Sequence, residues 1–201
     1  MKELVIATKN KDKQGELQKL LKGLRVKVIT LERYPHCPEV REGVKSFCEN
    51  AIRKAMFVSK YTGKPALADD TGLEVDALKG KPGVCSSRFA GKKATYDDNV
   101  RKLLQVLSGK TARQRGAQFR CLVAVCDYPR VVGVVEGKIR GRITFSPLGK
   151  HGFGYDPVFL VPHLKKTFAQ LSPPEKNKIS HRGLALAKAK RLIIKYWRLN
   201  A

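Results

Sequence analysis

Acidic residues are scarce in this chain: Asp and Glu number 17 against 41 Lys and Arg, a formal charge of +24. After Glu136 the only acids are Asp156 and Glu175, so the excess weighs on the C-terminal third. Such a field gathers polyanions, chiefly at low salt, without choosing among a nucleotide, a nucleic acid and a membrane surface. Cysteines are few, odd in number and scattered (Cys37, Cys48, Cys85, Cys121, Cys126), with no CxxC pair. That argues against a disulfide scaffold or a zinc site and fits reduced thiols, hence a cytoplasmic protein. No apolar run approaches the roughly 20 residues that span a bilayer. The first residues, Met1 to Thr8, turn polar too early for a secretory leader. Low-complexity tracts, internal repeats and interdomain linkers are absent as well. With 42% hydrophobic residues, one domain over residues 1–201 is expected, with room for two lobes around a shared core.

Hydrophobic periodicity supplies the elements. Leu4–Thr8 reads as a buried strand, and Leu17, Leu20, Leu21 and Leu24 follow at helical spacing. Val26–Thr30 is a short β-branched run. Ser46-Phe47-Cys48-Glu49 is a capping-box pattern opening a helix to about Tyr61. Ala66–Asp69 and Leu73–Val75 read as strands broken by Asp70-Thr71-Gly72. Thr95 to Leu107 is a second capped amphipathic helix, with Val100, Leu103, Leu104 and Leu107 on one face. Phe119–Cys126 and Val131–Glu136 form strands around the turn Asp127-Tyr128-Pro129-Arg130. Gly141 to Pro162 is mostly loop. A last helix carries Leu184, Ala187, Leu192 and Ile193 as its apolar stripe, with Ser180 placed to cap it. The class is α/β, a mixed sheet flanked by helices.

Five constellations could carry chemistry. Thr8-Lys9-Asn10-Lys11-Asp12-Lys13 joins a strand to a helix, where backbone N–H groups and the helix dipole face an anion. It lacks the glycines of a Walker loop, and a polar helix start would look the same. Asp69 and Asp70 are adjacent carboxylates at the end of an apolar strand, with Glu42 upstream. Their repulsion is offset if a hard cation such as Mg²⁺ is held there with substrate phosphates, although Asp-Thr-Gly is also good turn chemistry. Neighbouring strand residues point to opposite faces, so only one of the two aspartates is expected at the metal. Gly152-Phe153-Gly154-Tyr155-Asp156-Pro157 offers an aromatic face to a flat ligand, or an aromatic corner to the core. Arg88, in a Gly/Ser-rich loop, offers a phosphate contact. The most informative stretch is Glu175 to Gly183: Lys176, His181 and Arg182 crowd the start of the last helix, where cations are disfavoured. That makes sense if a phosphate or a keto oxygen sits among them; a solvated basic turn is the plain alternative.

Taken in order, Thr8-Lys9-Asn10, Phe47-Cys48-Glu49-Asn50-Ala51, Ala68-Asp69-Asp70-Thr71-Gly72, Phe153-Gly154-Tyr155-Asp156 and Ser180-His181-Arg182-Gly183 resemble one family over nearly the whole chain. It is the noncanonical purine nucleoside triphosphate pyrophosphatases, or inosine/xanthosine triphosphatases. The resemblance implies Mg²⁺-dependent hydrolysis of ITP, dITP and XTP to the monophosphate and pyrophosphate, removing deaminated purines from the nucleotide pool. It implies Thr8, Asn10 and Lys13 on the triphosphate, Glu42 and Asp70 on Mg²⁺, and Asp70 as the favoured base, with Glu42 and Asp69 left open for that catalytic role. Phe153 would stack on the base. Lys176, His181, Arg182 and Asp156 would read its edge and place ribose and phosphates, with Thr71, Arg88, Gly154 and Tyr155 completing the substrate contacts. An elongated two-lobed α/β fold with the cleft between the lobes, and a homodimer, also follow from the resemblance. Thr71 stands where many members have Ser, and the first loop is more cationic than usual. Both bear on substrate preference.

Hypoxanthine and xanthine carry a keto oxygen where adenine carries an amine, so a donor such as Arg182 or Lys176 pairs with one and is stranded by the other. Two other readings remain: a hydrolase of different base preference, and a basic nucleic-acid-binding protein. Against the latter, Lys and Arg are spread through the chain and no binding module is recognisable, so nucleic-acid binding is expected to be weak and non-specific at most.

Overall fold

A computed structural model describes residues 2–44 and 46–199. Among these residues seven strands form one sheet in the order β2-β1-β3-β4-β5-β6-β7, and five α-helices accompany them: β1 Glu3–Ile6, α1 Lys11–Leu21, β2 Lys27–Thr30, α2 Phe47–Thr62, β3 Ala66–Val75, α3 Tyr96–Val106, β4 Gly116–Asp127, β5 Arg130–Ile143, β6 Phe159–Val161, β7 Lys166–Thr167, α4 Pro173–Ile179 and α5 His181–Leu199. β1 pairs in parallel with β2 and with β3, whereas β6 is antiparallel to β5 and β7. The sheet is therefore mixed, as expected. β4 and β5 are joined through Tyr128 and Pro129, the expected hairpin.

The chain divides into two compact units. One takes the described residues of Met1–Asp70, Cys121–Gly137 and Arg182–Ala201. Its central strands β1, β3 and β4 are buried on both faces. Leu4 and Ile6 pack with Leu17, Leu21, Leu186 and Ile193, so α1 and α5 cover that side. Val5 and Ala7 alternate to the other side and pack with Ala51, Ala55 and Val58 of α2. The helix signals are realised locally. The Ser46 hydroxyl accepts the Glu49 N–H, and Gly63 ends α2 at φ +64°, a left-handed position where glycine carries no Cβ penalty. The second unit, Thr71–Arg120 and Lys138–His181, has its own core of Leu73, Val75, Leu103, Phe119, Phe159 and Phe168. Thr95 and Asp98 close a reciprocal capping box at the head of α3.

Three sequence expectations change. Asp70-Thr71-Gly72 does not break a strand: β3 runs unbroken, and Ala66 to Asp70 are all buried. Burial on both faces holds the backbone extended and overrides the local turn preference of Asp-Thr-Gly. The stretch from Glu175 is not a single turn. Pro173–Ile179 is a helix of its own, opened by a Ser172–Glu175 capping box, and Ser180 is its C-cap as well as the residue directly before α5. The stripe of α5 is rotated as well. Ala185, Leu186, Ala189 and Ile193 face the core, while Leu184 is 39% exposed. Alanines let the helix approach the sheet closely, so small residues, not the larger Leu184, mark the inner face. All five cysteines are free thiols, with Cys37, Cys121 and Cys126 buried.

Candidate active site

The first group of predicted residues gathers where β1 ends and β3 continues. These strands run parallel with Ile6 beside Leu67, so the Thr8–Lys13 connection leaves β1 next to Asp69 and Asp70, which lie two and three residues further along β3. Strand order reverses here, with β2 on one side of β1 and β3 on the other, and this is where open α/β sheets bind ligands. Asn10 is the N-cap of α1 and accepts the Lys13 N–H at 3.0 Å. The Thr8 hydroxyl accepts the Asn10 N–H at 3.2 Å, and Gln14 clamps the Thr8 carbonyl at 2.7 Å. The loop is thus held by its own side chains at a helix N-terminus, a setting that favours an anion.

Asp69 and Asp70, adjacent in sequence, serve different partners. Asp69 takes the Lys13 ammonium at 3.2 Å and the Arg182 guanidinium at 3.4 Å, and Arg182 also pairs with Glu16. Asp70 instead accepts Asn50 Nδ2 at 3.0 Å and faces Lys54 Nζ at 3.3 Å. The same Lys54 nitrogen donates to Glu42 Oε1 at 2.7 Å and to the Asp69 carbonyl at 2.7 Å. Asn50 binds both the N–H and the C=O of Gly43, at 2.7 and 3.2 Å. One amide therefore ties the Glu42 loop to Asp70 in the middle of β3, and this brings two carboxylates distant in sequence onto one cation.

Burial pushes the Asp70 carboxyl above the ordinary range, Lys54 pulls it back, and Glu42 pushes it up again; the net direction is upward. Burial disfavours the Lys54 ammonium, but Asp70, Asp69 and Glu42 outweigh that and raise its pKa. Burial likewise works against Arg182, and the charges of Asp69 and Glu16 more than restore it. Arg182 is thus held by carboxylates of its own unit.

Among the described residues no group of three or more His, Cys, Asp or Glu could hold a metal ion. Two oxygen ligands, Glu42 and Asp70, is nevertheless the number that suits Mg²⁺, which is bound through one or two carboxylates plus substrate phosphates and water. Their convergence on one ammonium is the observation that fits the ion.

The second group belongs to the other unit. Buried Asp156 accepts the Phe153 N–H at 2.8 Å and Lys176 Nζ at 2.7 Å. Lys176, itself 4% exposed, lies 5.1 Å from the centre of the Phe153 ring. A cation, a half-buried aromatic and a carboxylate are thus locked together before any ligand arrives. His181 stacks on Phe119, with centroids 4.4 Å apart and planes at 11°. Tyr155 falls differently from its expected role: its ring is 5% exposed in the core and its hydroxyl donates to the Ser86 carbonyl at 2.9 Å. Arg88 ends a 3₁₀ helix at Gly83–Arg88, and Thr71 continues β3. Gly154 has φ +64° and Gly152 φ +79°, and a Cβ on Gly152 would lie 2.0 Å from Asp156 Oδ2. Gly152→Ala should consequently lower the melting temperature by several degrees and loosen the Phe153 loop; an unchanged melting curve would show that the Asp156 contact does not constrain this turn.

Sequence reasoning missed Asn50, Lys54 and Glu16. Asn50 and Lys54 sit one turn apart on α2, and polar residues four apart beside the buried Ala51 and Ala55 were the available signal.

An anion-binding helix start beside paired carboxylates, on a mixed α/β sheet, defines a phosphate-handling class of protein. Within it the chain belongs to the Ham1 family, whose profile matches residues 4–192. A dITP/XTP pyrophosphatase of Desulforamulus reducens is 47% identical over 191 residues, covering 95% of each chain. A Bacillus licheniformis protein of the same name is 47% identical over 96% of this chain and 98% of its own. The solved HAM1 protein of Coxiella burnetii superposes with a TM-score of 0.88 at 42% identity, over 97% of this chain and all of that one.

Proposed function

We propose that this protein is a nucleoside triphosphate pyrophosphatase that hydrolyses dITP, XTP and ITP to the monophosphate and pyrophosphate with Mg²⁺. Membership of the Ham1 family and the names of its relatives support the reaction. The single observation that carries the site is the closure of Glu42 and Asp70 on one cation, beside the Asn10-capped start of α1. In this reading the N-terminus of α1 and Lys13 hold the phosphates, with Thr8 and Asn10 shaping the loop. Glu42 and Asp70 would hold the metal, which when bound supplies charge neutralisation on the phosphates. Asp70, held by Asn50 and facing Lys54 beside the start of α1, would accept the proton of the attacking water, in line with the family resemblance. Lys54 keeps the two carboxylates together when the metal is absent, and Asp69 with Arg182 braces Lys13.

Base recognition falls to the second group. Phe153 offers its ring to the purine, and Lys176, oriented by Asp156, donates to the 6-keto oxygen that adenine lacks. Arg182, engaged by Asp69 and Glu16, is less suited to that donation than Lys176. A cytoplasmic homodimer completes the reading, in line with the sequence resemblance; among the described residues no helix is long and apolar enough to cross a membrane.

The test is a product assay offering dITP, XTP, ITP, ATP and GTP with Mg²⁺ while resolving pyrophosphate from orthophosphate. Monophosphate plus pyrophosphate from the first three, with ATP nearly untouched, is the expected result. Orthophosphate as the product, or equal turnover of ATP, would reject the reaction or the account of selectivity respectively.

A further inference from the structure

The charge excess is not consumed by the nucleotide site, and one element carries it in ordered form. Helix α5 contains no acidic residue along its 19 positions. Lys188, Arg191, Lys195 and Arg198 are all exposed, and their spacing confines them to roughly 80° of the helix circumference at 3.6 residues per turn. Over that span they form a row about 15 Å long at 1.5 Å per residue. Among the described residues none of the four has a carboxylate within ion-pair distance. Lys188 donates to the Glu136 carbonyl at 2.6 Å, a neutral acceptor that leaves its charge uncompensated. Flanking cations extend the row: Lys190 donates to the Lys22 carbonyl and Lys2 to the Trp197 carbonyl, which brings two basic residues from outside the helix beside it.

We infer that the outer face of α5 binds the phosphate backbone of double-stranded nucleic acid, without sequence preference and apart from the nucleotide site. Like charges lined along one helix face repel, and a polyanion of closely spaced phosphates relieves that repulsion while releasing its own counterions. A rigid row of cations matches a rigid duplex. A single strand would need exposed rings to stack on, and the two nearby aromatics are engaged: Tyr196 donates to Asp127, and Trp197 lies under Lys2. A membrane surface would need a broad apolar stripe beside the cations. Here only Leu184 and Ile194 are exposed, at 39% and 41%, separated by nearly three turns.

The experiment is fluorescence anisotropy of a labelled 20-base-pair duplex titrated with the full-length protein from 50 to 300 mM salt. It compares wild type with the variant Lys188→Gln, Arg191→Gln, Lys195→Gln and Arg198→Gln. A control of equal charge carries Lys92→Gln, Lys93→Gln, Lys110→Gln and Lys150→Gln, four exposed lysines of the other unit. For four lost phosphate contacts the slope of log K against log salt should shallow by about 3 to 4. Binding at 100 mM salt should weaken more than tenfold, with triphosphate hydrolysis retained, while the control changes slope by less than one. The pair Arg191→Gln and Lys195→Gln, neither of which makes a hydrogen bond here, should give about half the effect if the quadruple variant folds poorly. Equal losses in the α5 variant and the control would overturn the inference in favour of a diffuse field. Absence of duplex binding by the wild type at 50 mM salt, or binding to anionic vesicles alone, would overturn it outright.

Discussion

Asp70→Asn should lower kcat for XTP by about a thousandfold or more while leaving the protein as stable as before. The two halves of that expectation have different sources. In the proposed reaction Asp70 would act directly, as proton acceptor and metal ligand, and removal of such a group typically costs about 10²–10⁴ in rate. Its stability effect follows from its pKa. Burial raises the folded value above the unfolded one, and Lys54 only partly offsets this. A carboxyl of that kind binds its proton more tightly when folded, so the stability it contributes is lost as pH rises through the folded value. A neutral amide, still able to pair with Asn50, removes the cost of burying the carboxylate, while Lys54 keeps Glu42 as an ion-pair partner. Asp69→Asn is the contrast. Arg182 is fully buried against Asp69 and Glu16, and loss of one partner from a buried ion pair costs about 3–5 kcal/mol. Thermal melts beside single-turnover kinetics separate the two neighbours. A D70N protein that melts as early as D69N would remove the distinction between a reacting group and a bracing one.

The second large effect concerns which base is accepted. Replacing Lys176 alone would take the cation away from the Asp156 carboxylate, which is 3% exposed and accepts from Lys176 at 2.7 Å, so lost folding would mask any change in specificity. The double variant Lys176→Met with Asp156→Asn removes the charges together and keeps an acceptor for the Phe153 N–H. With the keto donor gone, kcat/KM for ITP and XTP should fall about 10²-fold or more, because a site built to hydrogen-bond one group discriminates through that bond. Turnover of ATP should hardly change, so the ITP to ATP ratio collapses. A folded double variant that keeps the wild-type ratio would take base reading away from Lys176 and return it to Arg182 or His181.

Of the fold and the candidate site, the parts contained in one short segment could be read early. The Thr8–Lys13 helix start and the Ser46 and Thr95 caps depend on hydrogen bonds between residues two or three apart, and they formed as expected. Residues joined across the chain could be suspected but not paired. Nothing in the local pattern says that Asn50 will hold Gly43 and Asp70 at once, or that Lys54 will sit against Glu42 and Asp70. Nor does helical periodicity distinguish the Ala185–Leu186–Ala189 face of α5 from the Leu184 face, since both are apolar.

By itself the sequence determined the α/β class, the helix starts, the β4–β5 hairpin and the family resemblance, because each depends on local backbone preference or on motifs in order. Tertiary structure decided that β3 continues through Asp70-Thr71-Gly72, since burial on both faces outweighs a turn preference. It also decided that adjacent aspartates divide their work. In a strand consecutive side chains leave on opposite sides, and only the packed neighbours determine that one side offers Arg182 and Lys13 while the other offers Lys54 and Asn50.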